Sequence, residues 1–362
     1  MNQSRLSKVL ELMGKQNLEQ MLISDPAAIF YLTGKWIHPG ERLLCLLIKA
    51  GGDHKLFINE LFPVTDDLGA EKIWFNDTQD GVSFIAEHTD SSKALGVDKV
   101  WPARFLLRLM ELNGASSYTN GSEILDRVRM NKDEDERQKM RIASEINDRA
   151  MERIQKELAE GVTEVKMAQI LSGIYEELGA DGFSFNPIIG YGANAADPHH
   201  DIDKSVVKEG DSVIFDIGCV KDSYCSDMTR TAFYKSVSEK GREVFEIVKE
   251  ANLRAIAAVK PGVRFCDIDA AARDYITEKG YGKYFTHRTG HSIGIECHDY
   301  GDVSSVNTMP VEEGMIFSIE PGIYLSGEVG VRIEDLVLVT ADGCEVLNKY
   351  PKDLLIIKPK LQ

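Results

Sequence analysis

The second half of this chain repeats itself, and each copy carries a pair of acids in otherwise apolar strands. Gly161-Val162 recurs as Gly262-Val263, and Gly179, ahead of Phe183 and Phe185, recurs as Gly280, ahead of Tyr284 and Phe285; both offsets are 101 residues. Glu209-Gly210 precedes a strand-like run over 212–215 and then Asp216, as Glu313-Gly314 precedes a run over 315–319 and then Glu320. In each copy the acid lies six residues after the glycine. A second acid follows: Asp227 before Met228-Thr229-Arg230-Thr231, 11 residues on, and Glu334 before Asp335-Leu336-Val337-Leu338, 14 residues on. Such self-similarity fixes the architecture before any single residue is weighed. Two related halves joined in one pseudo-symmetric sheet would bring all four acids toward one centre.

Gathered in a core, four carboxylates lose hydration and repel one another unless a positive charge of similar size sits among them. Two divalent cations would supply it. The imidazole candidate is His291, in His287-Arg288-Thr289-Gly290-His291-Ser292-Ile293-Gly294, where the flanking glycines allow close backbone approach. A second histidine, His298, follows seven residues later. Hard oxygen ligands with one imidazole suit manganese, cobalt or zinc at a dinuclear centre, which clamps a bridging water or hydroxide as nucleophile. Hydrolysis is the implied reaction class.

A chain of 362 residues exceeds what one hydrophobic core usually organises, so two domains are expected. The first third reads as a small α/β layer structure: a helix face of Leu6, Val9, Leu10 and Met13, strands over 21–24, 43–49, 55–59 and 72–75, and a helix over 102–112. Near Ile124 the texture changes to a charged helix over 133–158, with an apolar stripe of Met140, Ala143, Ile146, Ala150 and Ile154. The expected division is therefore residues 1–124 and 125–362.

A net charge of −16 repels a phosphate backbone, which argues against nucleic acid. The start of the chain shows no signal-peptide core, and the apolar run over 43–48 is too short to span a bilayer. Cysteines at 45, 219, 225, 266, 297 and 344 form no Cys-x-x-Cys pair, as expected of a cytoplasmic protein without a membrane partner. Cys225 reads as a small core residue.

At these acids and histidines the sequence resembles the pita-bread metallopeptidases, the fold shared by methionine aminopeptidase, aminopeptidase P, prolidase and creatinase. The matching stretches are Asp216-Ile217-Gly218 with Ser226-Asp227-Met228-Thr229-Arg230-Thr231, then Gly290-His291-Ser292-Ile293-Gly294, Ile319-Glu320-Pro321-Gly322 and Val331-Arg332-Ile333-Glu334-Asp335. The resemblance covers roughly residues 130–350. It implies an α+β fold: a C-terminal pita-bread catalytic domain with an internal pseudo-two-fold repeat, preceded by a smaller creatinase-like α/β domain that serves dimerisation and active-site closure. It further implies that Asp216, Asp227, His291, Glu320 and Glu334 are the metal ligands, with Asp227 and Glu334 bridging.

By the same resemblance, His199 and His298 contact substrate and stabilise the tetrahedral intermediate, and Glu320 shuttles a proton from metal-bound water to the leaving nitrogen. His199 is preferred to the adjacent His200 for its spacing to Gly210. Arg332 and Arg288 are candidates for holding a substrate carboxylate. Ser292 stands where many relatives carry glycine, which implies a modest retuning of the pocket.

The ligands do not choose among the family's activities. The separate N-terminal domain sets the chain apart from methionine aminopeptidases and aligns it with the prolyl peptidases and creatinase. In prolidase-like relatives a loop such as Thr33-Gly34-Lys35-Trp36-Ile37-His38-Pro39-Gly40-Glu41-Arg42 closes the partner subunit's site, where His38 and Arg42 would meet a short substrate. The expectation is a homodimeric Xaa-Pro dipeptidase acting on small peptides with proline in second position. Aminopeptidase P is the alternative. A metal-free creatinase-like enzyme and a non-catalytic binding member of the fold are disfavoured, because all five ligand types are retained.

Overall fold

Residues 1–358 are described by the computed structural model, in two units of which the first is Met1–Arg129 and the second begins at Met130. In the first, the strands Glu71–Phe75, Lys55–Asn59, Leu44–Lys49, Gln20–Ile23, Ala94–Val97 and Ser117–Asn120 stand in that order in one sheet. Leu44–Lys49 runs antiparallel to both neighbours, and the outer pairings are parallel. A strand in mid-sheet covered on both faces needs a continuous apolar run, which Leu44 through Ile48 supply, all buried. The helix Gln3–Lys15 buries Leu6, Val9 and Met13, while Leu10 lies on its flank.

The four expected strands are present, as is a helix at Ala103–Glu111. The strands Ala94–Val97 and Ser117–Asn120 escaped the sequence reading. The second is an edge strand, Ser-Tyr-Thr-Asn, with no apolar run to announce it. The first unit ends at Arg129, within the helix Ser122–Met130, and Arg129 pairs with Asp25 at 3.1 Å.

The second unit is built twice. Helices Glu134–Gln155 and Glu164–Leu178 pack on a sheet ordered Ile188–Tyr191, Ser212–Ile217, Met228–Tyr234 and Leu355–Ile357. Helices Glu239–Ala258 and Phe265–Glu278 pack on a second sheet ordered Asp299–Val303, Gly290–Ser292, Ile316–Ile319, Asp335–Val339 and Cys344–Val346. The repeat extends to backbone angles: φ is 80° at Gly161 and 86° at Gly262, and 89° at Gly210 and 90° at Gly314. All four sit in the left-handed region that favours glycine. Isolated bridges Thr163–Val206 and Arg264–Pro310 complete the match. The first long helix starts where Asp133 and Glu136 form a capping box, and every residue of its expected stripe is buried.

Candidate metal centre and substrate cavity

Each half presents its two acids at one end of an antiparallel strand pair. In the first, Asp216 faces Thr229 across the pair and Asp227 immediately precedes that partner strand. In the second, Ile319 faces Asp335, so Glu320 follows one strand and Glu334 precedes the other. His291 enters from Gly290–Ser292, which pairs with Ile316–Ile319 through Ser292 and Phe317. The approach is close enough that a Cβ on Gly290 would lie 1.9 Å from the Ser318 carbonyl oxygen, which explains the glycine.

These elements surround a cavity of about 170 Å³ whose walls include all five expected ligands together with His199, His298, Arg288 and Arg332. The His291 Nε2 stands 3.7 Å from Asp227 Oδ2 and 3.5 Å from Glu320 Oε1. The His298 ring stands edge-on to that of His291, with centroids 4.2 Å apart. Asp227, His291 and Glu334 bring one donor atom each within 4.8 Å of the others, close enough to hold a metal ion.

The carboxylates are divided in a telling way. Asp216 Oδ2 accepts from Arg332 Nη2 at 2.6 Å, Glu334 Oε2 accepts from Thr229 Oγ1 at 2.7 Å, and Asp227 Oδ2 faces the Cys297 thiol at 3.4 Å. The other oxygen of each, Asp216 Oδ1, Glu334 Oε1 and Asp227 Oδ1, is buried and meets no hydrogen-bond donor among the described residues. Bare buried carboxylate oxygens are costly unless a cation compensates them, so the donor set fits divalent metal. The protein fixes one side of each acid and leaves the other for the ion, an arrangement that also orients ligands in metal sites.

Burial pushes the Asp227 and Glu334 carboxyls well above the ordinary range, with Asp216 and Glu320 adding to it in both and the two acids repelling each other. Burial likewise brings Glu320 up to about 7, against the counter-pull of Arg332. His291 is held down to about 3 by burial, then by His298 and Arg288, so it is a neutral donor. His298 is lowered by burial and by Arg288.

The remaining expected residues are placed as follows. His199 lines the cavity, whereas His200 turns to Glu164 at 2.7 Å. Arg332 is buried and already donates to Asp216, to the Tyr324 hydroxyl at 2.8 Å and to Thr229 Oγ1 at 3.2 Å. Arg288 lines the cavity with its side chain partly exposed, paired with Asp302. His38 and Arg42 belong to the first unit, where His38 stacks on Trp36 and Arg42 pairs with Asp77 at 2.9 Å. The Ser292 hydroxyl faces Gly301. Cys225 is buried, and burial pushes its thiol far up, as befits an inert core residue.

Three site residues were not singled out from the sequence. Tyr324 joins Arg332 to His287 Nε2, which it meets at 2.8 Å, and Cys297 lines the cavity beside Asp227. Only the place of Cys297 next to His298 could have flagged it. Tyr324 and His287 are 37 positions apart, and only the fold joins them.

An enclosed cluster of acids and one imidazole with bare oxygens defines a metal-dependent hydrolase. Residues 138–341 match the model of metallopeptidase family M24, and residues 5–131 match the creatinase/prolidase N-terminal domain. The chain belongs to metallopeptidase family M24. Its fold is accordingly the creatinase-like N-terminal domain followed by the pita-bread domain that the resemblance implied. An uncharacterized peptidase of Staphylococcus aureus is 36% identical over 356 residues, covering 96% of this chain and 100% of that one. The crystal structure of a prolidase from Thermococcus sibiricus superposes with a TM-score of 0.92 at 33% identity, covering 99% of each chain. An X-Pro aminopeptidase from Thermotoga maritima superposes at 0.81 with 29% identity, covering 94% of this chain and 98% of that one. No helix among the described residues is long and apolar enough to cross a membrane.

Proposed function

We propose that this metallopeptidase hydrolyses the bond on the amino side of proline in Xaa-Pro dipeptides. Two divalent cations would be held by Asp216, Asp227, His291, Glu320 and Glu334. The observation that carries the reading is the trio of bare, buried carboxylate oxygens beside a neutral imidazole. Four hard carboxylates and one imidazole suit manganese, with cobalt and zinc as alternatives. When bound, such ions supply a Lewis acid for the scissile carbonyl and a water that ionises near neutral pH.

The chain's own groups divide the remaining work. Glu320, in the cavity wall with the other acids, would take a proton from the attacking water and return it to the leaving nitrogen. That return matters for proline, whose imide nitrogen carries no hydrogen and must be protonated before it leaves. His298 and His199 face the cavity as donors for the developing oxyanion. Arg288, partly exposed in the cavity wall, suits the carboxylate of a short substrate, while Arg332 steadies Asp216. The small cavity and the prolidase neighbour favour a dipeptide over a longer chain. Homodimer formation, a role for His38 and Arg42 in closing a partner subunit's site, and a cytoplasmic location belong to the same proposal. They rest on the creatinase-like first unit and on six free cysteines.

The test compares Ala-Pro, Ala-Pro-Ala and Met-Ala as substrates before chelation, after it, and after adding back manganese, cobalt or zinc. Cleavage of Ala-Pro alone, lost on stripping and restored by metal, is the expected result. Cleavage of the tripeptide would make the enzyme an aminopeptidase P, and equal rates before and after stripping would reject the metal reading.

A further inference from the structure

Away from the main centre, the second unit holds another dense group, Glu164, His200 and Asp203, with donor atoms close enough to bind an ion. Its chemistry is the opposite of that centre. Glu164 is fully buried, and both of its oxygens are engaged. Oε1 accepts from the Tyr191 N–H at 2.9 Å and Asn194 Nδ2 at 3.0 Å, while Oε2 faces His200 Nε2 at 2.7 Å and accepts from the Asp203 N–H at 3.0 Å. Nothing is left over for a cation. The group is a closed clasp.

The duplicated fold provides its own control. Glu164 opens the helix Glu164–Leu178, next to the bridge Thr163–Val206. In the other half Phe265 opens the helix Phe265–Glu278, next to the bridge Arg264–Pro310, at the repeat's own offset. Phe265 is fully buried, edge-on to Phe317 at 5.1 Å. The architecture therefore asks only for a large buried side chain here, and a carboxylate is the costly way to fill the place. What distinguishes the first half is the segment that Glu164 grips, residues 191–203. That segment delivers Pro198 and His199 to the cavity wall, with His200 fixed behind them.

We infer that the Glu164–His200 clasp is the positioning device for His199, holding the segment so that His199 faces the substrate and setting turnover through that residue rather than through folding. The inference rests on the substrate-facing role given to His199 above. Glu164 and His200 are positioning residues: neither touches the cations or the scissile bond.

The experiment uses the full-length, metal-loaded protein and its His199→Ala, His200→Ala, His200→Gln and His199→Ala/His200→Ala variants, with Ala-Pro as substrate. His200→Ala is expected to lower kcat on the order of 10- to 100-fold, as a misplaced catalytic group does, with bound metal unchanged. His200→Gln keeps a donor near Glu164 and is expected to recover most of the rate. The double variant should be no slower than His199→Ala alone, because both changes remove one function. Wild-type kcat in His200→Ala, or a double variant whose loss is the product of the single losses, would overturn the inference. Should the wild-type protein cleave no Xaa-Pro peptide, the proposed function falls, but hydrogen exchange still decides the clasp. Faster exchange confined to residues 191–203 in His200→Ala supports it, and unchanged exchange overturns it.

Discussion

Stripping the protein of divalent ions should cost it more stability at high pH than at low pH. Without a cation, burial brings the Glu320 carboxyl from its ordinary 4.5 up to about 7. An acid with a higher pKa in the folded chain than in the unfolded one favours folding while protonated. Its contribution is complete below the unfolded value and is lost as pH rises through the folded one. For Glu320 the full difference amounts to about 3 kcal/mol, of which about 2.5 kcal/mol disappears between about pH 5 and about pH 8. For a unit of this size each kcal/mol moves Tm by about 2–4 °C, so the Tm gap between metal-bound and stripped protein should widen by about 5–10 °C toward the upper pH, and the lowered His291, neutral with or without metal, cancels in that gap. Asp227 and Glu334, both raised, act in the same direction and make this a lower bound. Cations that bind the ionised acids reverse the effect, since binding the folded state alone stabilises it. The assay is thermal unfolding across that range with chelator and with added manganese, with metal content measured on the same samples. A Tm gap between metal-bound and stripped protein that stays constant or narrows as pH rises would refute the reasoning.

Two further outcomes are expected. His298→Ala should leave the bound metal unchanged, since His298 lines the cavity but is not one of the five residues proposed to hold the cations, yet lower kcat by about 10²–10³ as a lost oxyanion donor does; metal content and steady-state kinetics on one preparation check it. Burial alone would raise Asp335, but Arg230 at 2.7 Å and Lys352 at 2.6 Å outweigh it and hold its carboxyl low. Asp335→Asn should therefore destabilise the second unit by about 3–5 kcal/mol in denaturant titration, and this loss should shrink as pH falls through the native Asp335 value, where the wild type loses the same charge.

The residues of the cavity cluster were legible in the sequence because each is tied to a strand that announces itself. Asp216, Asp227, Glu320 and Glu334 interrupt apolar runs at repeated distances, and an acid among buried residues has few structural excuses. His291 was legible through the glycine that lets its strand approach Ser318. What stayed hidden depends on contacts that no local pattern encodes. Tyr324 lies in the two-stranded ribbon Gly322–Leu325 with Val329–Arg332, where it reads as an ordinary core aromatic. Its partner His287 precedes the ligand strand, and the two meet only because the chain folds back there. Arg332 was read as a candidate for holding a substrate carboxylate, but its engagement with Asp216, Tyr324 and Thr229 could not be read from spacing. The short edge strand Ser117–Asn120 was invisible for a simpler reason, since it is polar and largely exposed.

The same division between scaffold and loop explains why a duplicated fold can carry one asymmetric reaction. In the first half, Asn147 on the helix Glu134–Gln155 donates to the Ile217 carbonyl at 2.8 Å, beside Asp216. In the second, Asn252 on the helix Glu239–Ala258 donates to the Ile319 carbonyl at 2.9 Å and the Ile333 carbonyl at 3.3 Å, beside Glu320 and Glu334. Each half thus pins its ligand-bearing strand ends with a buried amide from its own long helix, a bond whose loss leaves a buried polar group unsatisfied. Four acids placed by twin scaffolds suit a pair of cations, which is itself a nearly symmetric object. A peptide has direction, so the groups that meet it cannot be duplicated. They come instead from where the halves differ: the segment gripped by Glu164 in the first, and the His291–His298 stretch in the second.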